Sequence, residues 1–380
     1  MGPHLILIGA SGRAAAFSAV RAGLRPWAID LFADRDLAAV CPARAVPPGQ
    51  YPAGLALMAC EAPPGPWLYT GALENRPEIV ERIARDRPLW GNAAAYLRRA
   101  RDPFALAAAL RAADAPCPDV RRLGNELPPG RWLLKPVASA GGIGIRLASA
   151  RHSGRSRNPT RRLLLQRFVE GESRAGVFCA DEGGCRLLGV TRQFVGECWL
   201  HAPPFRYAGS IGPLPLTPTE QAAWDRLGAA VTAFAGLRGL FGVDAVVRDG
   251  VPWPVEVNPR YTASVEVLEY ATGLRALALH RRAFDPSAPI VQVGPRAGLV
   301  GKAVWYAPRP LTVPADGPWE AVLRQPPLDA PPAFADIPPA GQRVAAGRPV
   351  LTAFAAGDSA AECERRLRVI ASELDAWLLK

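Results

Sequence analysis

The sequence predicts an α/β protein of more than one domain, and three observations support that prediction. The chain has 380 residues, of which 49% are hydrophobic, so it can bury two or three cores. Apolar runs alternate with a helix-forming stretch over residues 3–36, as in strands joined by a helix. Between residues 130 and 200 this alternation gives way to strand-like runs separated by glycine turns.

The N-terminal segment begins with the apolar run HLILIG, and the helix-forming run ASGRAAAFSAVRAG follows it and ends at Gly23. With the next apolar run, this is a β-α-β start of Rossmann type. Gly9 and Gly12 lack the rest of the GxGxxG pattern, so a tight strand-to-helix turn is favoured over a dinucleotide site. No basic region precedes the apolar run, which therefore suits a first strand better than a signal peptide.

Two changes of pattern divide the chain into three predicted domains. Residues 1–100 form an α/β domain. A helix capped by Asp102, with Pro103 in its first turn, opens a second domain over residues 101–285. In that domain Thr217 or Thr219 caps a helix, and Glu220 can complete a capping box. Residues 286–380 are a proline-rich β segment that ends in an amphipathic helix.

The bulk charge and cysteine content exclude several classes. The formal charge is +11, but only three residues are lysine, and the arginine-rich run 146–162 has no interleaved aromatic residues. We therefore expect no nucleic-acid partner and a solvated loop at 146–162, although attraction of an anionic substrate stays open. No apolar run is long enough for a membrane span. Seven scattered cysteines predict free thiols, a cytoplasmic location and no structural zinc site.

The stretch VEVNPRYTAS is unusual, because a buried strand would not place a carboxylate and an amide two residues apart just before it ends. It follows an Asp-Gly turn signal, so we predict a hairpin. A two-residue loop would point Asp244 away from Glu256. A three-residue loop over 248–250, with Gly250 left-handed, puts Asp244, Glu256 and Asn258 on one face. The opposite face would then be apolar and pack the core: Val243, Ala245, Val255 and Val257.

Two carboxylates and an amide oxygen on one face suit Mg²⁺, which binds one or two carboxylates together with substrate phosphates. Phosphate contacts are predicted in LLKPVASAGGIGI, where strand-borne Lys135 precedes a loop that can turn backbone N–H groups towards phosphate oxygens. The residues of that loop are Ser139, Gly141, Gly142 and Gly144. In LLLQRFVEGE, an apolar strand runs into Gln166 and a short link follows, a pattern that fits a hinge beside an adenine but is not specific to one by itself.

The order of these elements resembles the ATP-grasp superfamily over residues 100–285. The lysine with its glycine loop comes first, then the Gln-x-Phe-Val-x-Gly-Glu hinge, the Gly-Val-Asp strand and Glu-x-Asn-Pro-Arg. The run GALENRPEIVERIARDRPLWGN looks like the pre-ATP-grasp domain of carboxylate–amine ligases, and GQRVAAGRPVLTAFAAGDSAAECERRL like the C-terminal segment of related carboligases. The ending EVNPRYTASVEVLE is similar to that of ATP-grasp proteins of archaeal-type one-carbon cofactor biosynthesis, including tyramine–glutamate ligase-like proteins.

This resemblance implies a role for each motif. Lys135 contacts ATP phosphates under the glycine loop, and Glu172 holds the ribose. Asp244, Glu256 and Asn258 hold Mg²⁺. Arg260 faces an acyl-phosphate. The residues that line the adenine are Gln166, Arg167, Phe168 and Val169.

Two positions depart from the pattern of the family. An early lysine is missing, so Arg98 or Arg101 would replace it. Many ligases carry an arginine where this chain has Gly242, so Arg192 or Arg260 would stabilise the tetrahedral intermediate.

The implied activity is ATP- and Mg²⁺-dependent amide formation through an acyl-phosphate, with release of ADP. Its partners would be a small carboxylate and an amine, and a homodimer is left open. A bicarbonate-activating carboxylase and a degenerate ATP-binding module are the alternatives. Specificity would lie in the N-terminal domain and the loop 193–215, where four residues form either a pocket or loop packing, with packing favoured: Trp199, His201, Arg206 and Tyr207.

Overall fold

The computed structural model describes residues 2–124, 127–149, 162–291 and 298–380. Most of the arginine-rich run 146–162 therefore lies outside the described residues. The N-terminal part is a parallel four-stranded sheet in the order β3-β2-β1-β4. Its strands are β1 His4–Gly9, β2 Arg25–Asp30, β3 Ala43–Ala45 and β4 Trp67–Tyr69. Its helices are α1 Arg13–Arg21, α2 Arg35–Val40, α3 Leu55–Cys60, α4 Pro77–Ala84 and α5 Ala94–Ala100, with a 3₁₀ turn at Leu73–Asn75.

The predicted strand-to-helix turn joins β1 to α1. The carboxylate of Asp30, at the end of β2, accepts hydrogen bonds from the backbone N–H of Gly12 and, at 2.8 Å, from that of Ala33. The chain's own carboxylate therefore occupies the positive N-terminal end of α1.

A small antiparallel sheet follows, in the order β5-β8-β6-β7. Its strands are β5 Val120–Arg122, β6 Trp132–Pro136, β7 Arg146–Leu147 and β8 Leu163–Arg167, and α6 Pro103–Ala112 precedes it. Asp102 caps α6 as predicted, because its carboxylate accepts from Phe104 N at 3.0 Å and Ala105 N at 3.1 Å.

An eight-stranded antiparallel sheet forms the centre of the molecule, in the order β13-β12-β9-β10-β11-β14-β18-β16. The strands are β9 Glu172–Asp181, β10 Gly184–Val195, β11 Tyr207–Gly212, β12 Gly239–Arg248, β13 Val251–Asn258, β14 Leu299–Tyr306, β16 Phe334–Ala335 and β18 Pro349–Gly357. The short pair β15 Leu311–Thr312 and β17 Arg343–Val344 stands apart. Strands that follow residue 285 thus complete the sheet begun by residues 172–258.

Helices cover this central sheet: α7 Pro218–Ala235, α8 Ala263–Thr272, α9 Ala276–Phe284, α10 Glu320–Arg324 and α11 Ala360–Leu378. Helix α7 begins with the predicted capping box of Thr217 and Glu220, and its buried Trp224 packs against Phe178. Among the described residues, no helix combines the length and apolar character that crossing a bilayer requires. All seven cysteines are free thiols.

Candidate active site

The hairpin of β12 and β13 turns through two residues, so the predicted three-residue loop is wrong. Arg248 pairs with Val251 across the turn. Asp249 and Gly250 both have positive φ, 53° and 75°, which is the left-handed geometry that two-residue hairpin turns favour.

A β-bulge restores the expected face in spite of the shorter loop. Ala245 pairs with Pro254, but Asp244 pairs with Glu256, so Val255 is an extra residue in β13. The extra residue returns Asp244 to the face of Glu256. Asn258 lies opposite Gly242 and completes the polar face. Three of the residues expected on the apolar face are buried in the core: Val243, Ala245 and Val257.

Val255 does not join that apolar face, contrary to the prediction. It lines the site cavity instead, and its carbonyl oxygen accepts a hydrogen bond of 2.7 Å from Nζ of Lys135. Burial lowers the pKa of Lys135, against the opposing attraction of Glu256. Because of the bulge, the carboxylates of Asp244 and Glu256 and the side chain of Lys135 all face the site cavity.

The two carboxylates of the polar face have opposite electrostatic environments. Asp244 accepts hydrogen bonds from Gln193 Nε2 at 2.9 Å and from Asn258 Nδ2 at 3.0 Å. Burial, and next the charge of Glu256, raise the pKa of Asp244 to about 6. Burial also acts to raise the pKa of Glu256, but Arg101 and other nearby cations more than offset it, so that pKa is lowered.

Arg101, and not Arg98, is the arginine that reaches the site. Its Nη1 lies 2.6 Å from Oε1 of Glu256, and its Nη2 donates to the carbonyl of Ser139 at 3.1 Å and to Oδ1 of Asn75 at 2.9 Å. Arg98 pairs with Glu81 on the surface at 3.2 Å. One guanidinium thus joins the polar face, the glycine loop and the N-terminal domain.

Arg260, which the resemblance would have face an acyl-phosphate, lines the cavity. Its Nη2 lies 2.8 Å from Oε1 of the buried Glu74 and 3.3 Å from Oδ1 of Asn258. Burial would lower the pKa of Arg260, but the Glu74 carboxylate holds it above the usual value. Sequence reasoning missed Glu74, although it lies in the GALEN motif that carried part of the resemblance.

Arg192 lies on the other face of β10 and does not line the cavity, so its expected catalytic role needs correction. Its guanidinium pairs with Glu364 of α11 and stacks on Phe194. Because strand side chains alternate, the neighbouring Gln193 faces the cavity and holds Asp244.

The glycine loop has the backbone geometry that was predicted from its composition. Gly141, Gly142 and Gly144 have φ values of 58°, 76° and 81°. The loop packs on the segment before β11, where a Cβ added to Gly142 would lie 1.8 Å from the carbonyl oxygen of Phe205. Only glycine fits at that contact without a shift of the backbone.

The predicted hinge also borders the cavity. Gln166 is 5% exposed, and its Oε1 has no hydrogen-bond partner among the described residues, which fits an acceptor kept for a ligand. Phe168 lies under the guanidinium of Arg131 at 4.1 Å, and Arg167 and Val169 lie beside it in the lining.

Glu172, which the resemblance assigned to the ribose, does not line the cavity. Its carboxylate accepts from Arg174 at 2.5 Å, and the neighbouring Ser173 faces the cavity instead. The one-residue offset follows from strand alternation at the start of β9.

The loop 193–215 contributes to the cavity only in part. Tyr207 lines it, together with Phe205. Trp199 packs against Phe194, and His201 bonds Asp375 at 2.7 Å, so these two residues are loop packing. Arg206 lies over the ring of Tyr306.

The polar face, Lys135, the glycine loop, the hinge and Arg260 surround one cavity of about 750 Å³, a volume suited to a nucleotide. Within the described ranges no three His, Cys, Asp or Glu side chains cluster in a way that could hold a metal ion. Asp244 and Glu256 therefore fit a divalent cation that brings further oxygen ligands with it, as Mg²⁺ does when it arrives with phosphates. Asn258 would offer its amide oxygen only after its side chain turns, because its Nδ2 donates to Asp244 and its Oδ1 accepts from Arg260.

Comparison with known proteins identifies a domain family and the fold. The family model of the ATP-grasp domain matches residues 100–264. A formate-dependent phosphoribosylglycinamide formyltransferase of Azoarcus sp. (strain BH72) is 29% identical over an alignment of 185 positions that covers 44% of this chain and 44% of that protein. The chain spans less than half the length of the curated relatives it matches.

Two solved structures share the fold along almost the whole chain. An L-amino acid ligase from Bacillus licheniformis superposes with a TM-score of 0.69 at 16% identity, over 99% of this chain and 97% of that one. The biotin carboxylase domain of Hydrogenobacter thermophilus 2-oxoglutarate carboxylase, solved with MgADP and bicarbonate, superposes with a TM-score of 0.70 at 14% identity. That match covers 96% of this chain and 88% of the other.

Proposed function

We propose that this chain, which carries an ATP-grasp domain over residues 100–264, is an ATP- and Mg²⁺-dependent ligase that joins a carboxylate to an amine with release of ADP. One observation carries the proposal. A single cavity brings together two facing carboxylates, a half-buried lysine, a glycine loop and an unpartnered buried glutamine oxygen. Such a combination suits a nucleotide triphosphate with its cation.

The residues of the chain divide the work of binding. Gln166 Oε1, which has no partner among the described residues, would accept a hydrogen bond from the amino group of adenine, beside Phe168 and Val169. Lys135 and Arg101 supply positive charge for phosphate oxygens, and the glycine loop excludes water. Asp244, Glu256 and Asn258 would hold Mg²⁺, which supplies charge neutralisation for phosphoryl transfer.

The carboxylate substrate has a matching anion site at the start of α8. Thr262, Ala263 and Ser264 line the cavity, so the positive N-terminal end of this ten-residue helix opens into it. Thr262 Oγ1 is buried without a partner among the described residues, and Arg260 lies next to it in sequence and lines the same cavity. These groups would orient a carboxylate towards the γ-phosphate.

The proposed reaction has two steps, phosphoryl transfer to the carboxylate and then formation of the amide. A carboxylate oxygen bonds to the γ-phosphorus, the bond from that phosphorus to the bridging oxygen breaks, and ADP leaves. The amine nitrogen next bonds to the acyl carbon, inorganic phosphate leaves with the bonding electron pair, and an amide remains. Arg260 and the N–H groups of α8 would stabilise the negative oxygen that forms on the acyl carbon.

Two observations narrow the choice of acid and amine that the proposed ligase would use. The formate-dependent relative suggests a small acid, since formate is the smallest carboxylate. The similarity of EVNPRYTASVEVLE to proteins of tetrahydromethanopterin- and methanofuran-type cofactor synthesis puts glutamate with tyramine at the head of the candidates.

The test is Mg²⁺-dependent ADP release from ATP across a panel of acids, with and without amines, and with bicarbonate. Release that needs both an acid and an amine supports the ligase, whereas release with bicarbonate alone would identify a carboxylase. ATP binding without turnover on any substrate would point to a degenerate module. Glu256→Gln should abolish ADP release, and Glu172→Gln, which alters a carboxylate outside the cavity, should leave it unchanged.

A further inference from the structure

The turn that follows β4 carries two consecutive polar side chains that reach arginines of the candidate site. This 3₁₀ turn begins after Ala72, whose φ of 73° is left-handed although alanine carries a Cβ. Such a backbone conformation persists only where its surroundings hold it. Here Leu73 is buried in the N-terminal core, and Glu74 pairs with Arg260 at 2.8 Å. The position of the next residue, Asn75, is therefore fixed by its neighbours.

Asn75 uses both ends of its side-chain amide. Its Nδ2 donates to the carbonyl oxygen of Ser139 at 3.1 Å, and its Oδ1 accepts from Nη2 of Arg101 at 2.9 Å. The same Nη2 donates to the carbonyl of Ser139 at 3.1 Å, so the three groups form a closed ring of hydrogen bonds. These partners define the orientation of the amide, because a reversed amide would set its N–H groups against the guanidinium and its oxygen against a carbonyl.

The ring holds one end of the glycine loop. Ser139 is the first residue of that loop and lies 64 positions after Asn75 in the chain. The middle of the loop is held separately, where Gly142 packs on the carbonyl of Phe205. Asn75 itself lies outside the lining of the nucleotide cavity. It can therefore act on a nucleotide only through the groups that it holds.

The second of those groups is the Arg101 guanidinium, which has another partner that a bound cation would replace. Its Nη1 pairs with Glu256, one of the carboxylates that would hold Mg²⁺. Once a cation neutralises Glu256, the contacts with Asn75 and Ser139 would still hold the guanidinium beside the cavity. Its charge would then be available to phosphate oxygens.

We propose that Asn75 is a positioning residue of the nucleotide site, which holds the glycine loop in place and keeps Arg101 directed at the phosphates. The inference rests on the proposed function, because the loop and the arginine serve a bound nucleotide. The site requires an asparagine, since one donor and one acceptor are needed at this position. Aspartate would keep the acceptor for Arg101 but set an oxygen against the carbonyl of Ser139, and leucine would offer neither group.

The test compares Asn75→Asp and Asn75→Leu with the unmodified full chain. Hydrogen exchange of peptides from residues 139–145, followed by mass spectrometry with and without saturating MgADP, measures how often the loop opens. The N–H groups of Ile143 and Ile145 report that opening, because both donate to carbonyls within the loop. Isothermal titration gives the Kd of MgADP. We expect loop exchange to be roughly three- to tenfold faster in both variants, and the Kd to rise by a similar factor, because a hydrogen bond is lost.

The matched control is Arg76→Gln, which alters the next residue of the chain. Arg76 is exposed and lies 3.8 Å from Glu78, so its replacement should leave both the exchange of the loop and the Kd unchanged. Exchange of β1 in the N-terminal sheet is the internal reference. If Asn75 served only to stabilise the N-terminal part of the chain, its replacement would accelerate exchange in β1 as much as in the loop.

Equal acceleration of β1 and the loop, or unchanged loop exchange in both Asn75 variants, would overturn the proposal. Faster loop exchange with an unchanged Kd of MgADP would also overturn it, because the loop would then be held without consequence for the nucleotide. The proposed function fails differently. In that case the unmodified chain would not bind MgADP at all, whatever the exchange of the nucleotide-free loop.

Discussion

Nη1 of Arg101 lies 2.6 Å from Oε1 of Glu256, on the face that also carries Asp244 and Asn258. The guanidinium therefore neutralises the carboxylate where a divalent cation would do so. We expect the nucleotide-free chain to bind Mn²⁺ poorly and Arg101→Gln to bind it about 10- to 100-fold more tightly, because a unit positive charge beside the site is removed. Electron paramagnetic resonance of free Mn²⁺ measures both affinities.

The matched control for that prediction is Arg98→Gln. It removes an arginine that lies three residues before Arg101 and pairs with Glu81 on the surface, so its Mn²⁺ affinity should equal that of the unmodified chain. Equal Mn²⁺ affinity in the Arg101→Gln and unmodified chains would show that the ion pair does not compete with the cation.

The sequence predicted those parts of the site that depend on local pattern. Lys135, the glycine loop and the carboxylate pair were found because each lies in a short motif of suitable residue types. Arg192 was named as a replacement for the arginine missing at position 242, without a prediction of the face it occupies, and the register of β10, which shifts between Leu187 and Gly189 and again after Phe194, leaves no reliable sign in the sequence.

Contacts between parts of the chain that are distant in sequence could not be predicted from the sequence either. Glu74 and Arg260 are separated by 186 positions, and nothing local to either residue indicates the other. The bulge at Val255 is a similar case, because the correct face was predicted through an incorrect loop. Periodicity defines which residues alternate along a strand, but the pairing register is decided by tertiary packing.

Gln193 and Arg192 are neighbours that face opposite sides of β10, so they form a natural pair for mutation. Gln193→Leu should reduce ADP release at least tenfold, because Asp244 loses the donor that lies 2.9 Å from its Oδ1. Arg192→Met should keep turnover but lower the free energy of unfolding by about 1 kcal/mol, since it loses the pair with Glu364. Steady-state assays and urea unfolding of both variants separate the two roles. Loss of turnover in Arg192→Met alone would return the catalytic role to Arg192.

The glycine loop offers a second matched pair. Gly142→Ala should weaken ADP binding about tenfold or more, because its Cβ would collide with the carbonyl of Phe205 and displace the loop. Gly141→Ala has the same cost of positive φ, but its Cβ meets nothing within 4 Å, so the loop should stay in place. Isothermal titration with MgADP compares the two. Equal losses would mean that backbone strain, and not the contact with Phe205, controls the loop.

His280 links the N-terminal domain to β12 and should make folding sensitive to acid. Its Nδ1 accepts from Leu240 N at 2.8 Å, and its Nε2 donates to the carbonyl of Trp90 at 3.0 Å, so the neutral ring satisfies both contacts. Burial lowers the pKa of His280 to about 4, while the unfolded chain has the ordinary value of about 6.5. Between these values the unfolded chain binds more protons, so the stabilisation is complete above pH 6.5 and is lost as the pH falls towards 4.

The expected loss from His280 is about 1.4 kcal/mol per pH unit, or roughly 3 kcal/mol in total. Urea unfolding from pH 7.5 to pH 4 measures it as the difference between the unmodified chain and His280→Asn, which keeps an acceptor for Leu240 but does not titrate. Carboxylates titrate in both proteins and cancel in the difference. The unmodified chain should be the more stable at pH 7.5, and its advantage should shrink steadily below pH 6.5. A constant difference across that range would mean that His280 keeps an ordinary pKa in the folded chain and that the two buried hydrogen bonds tolerate its protonation.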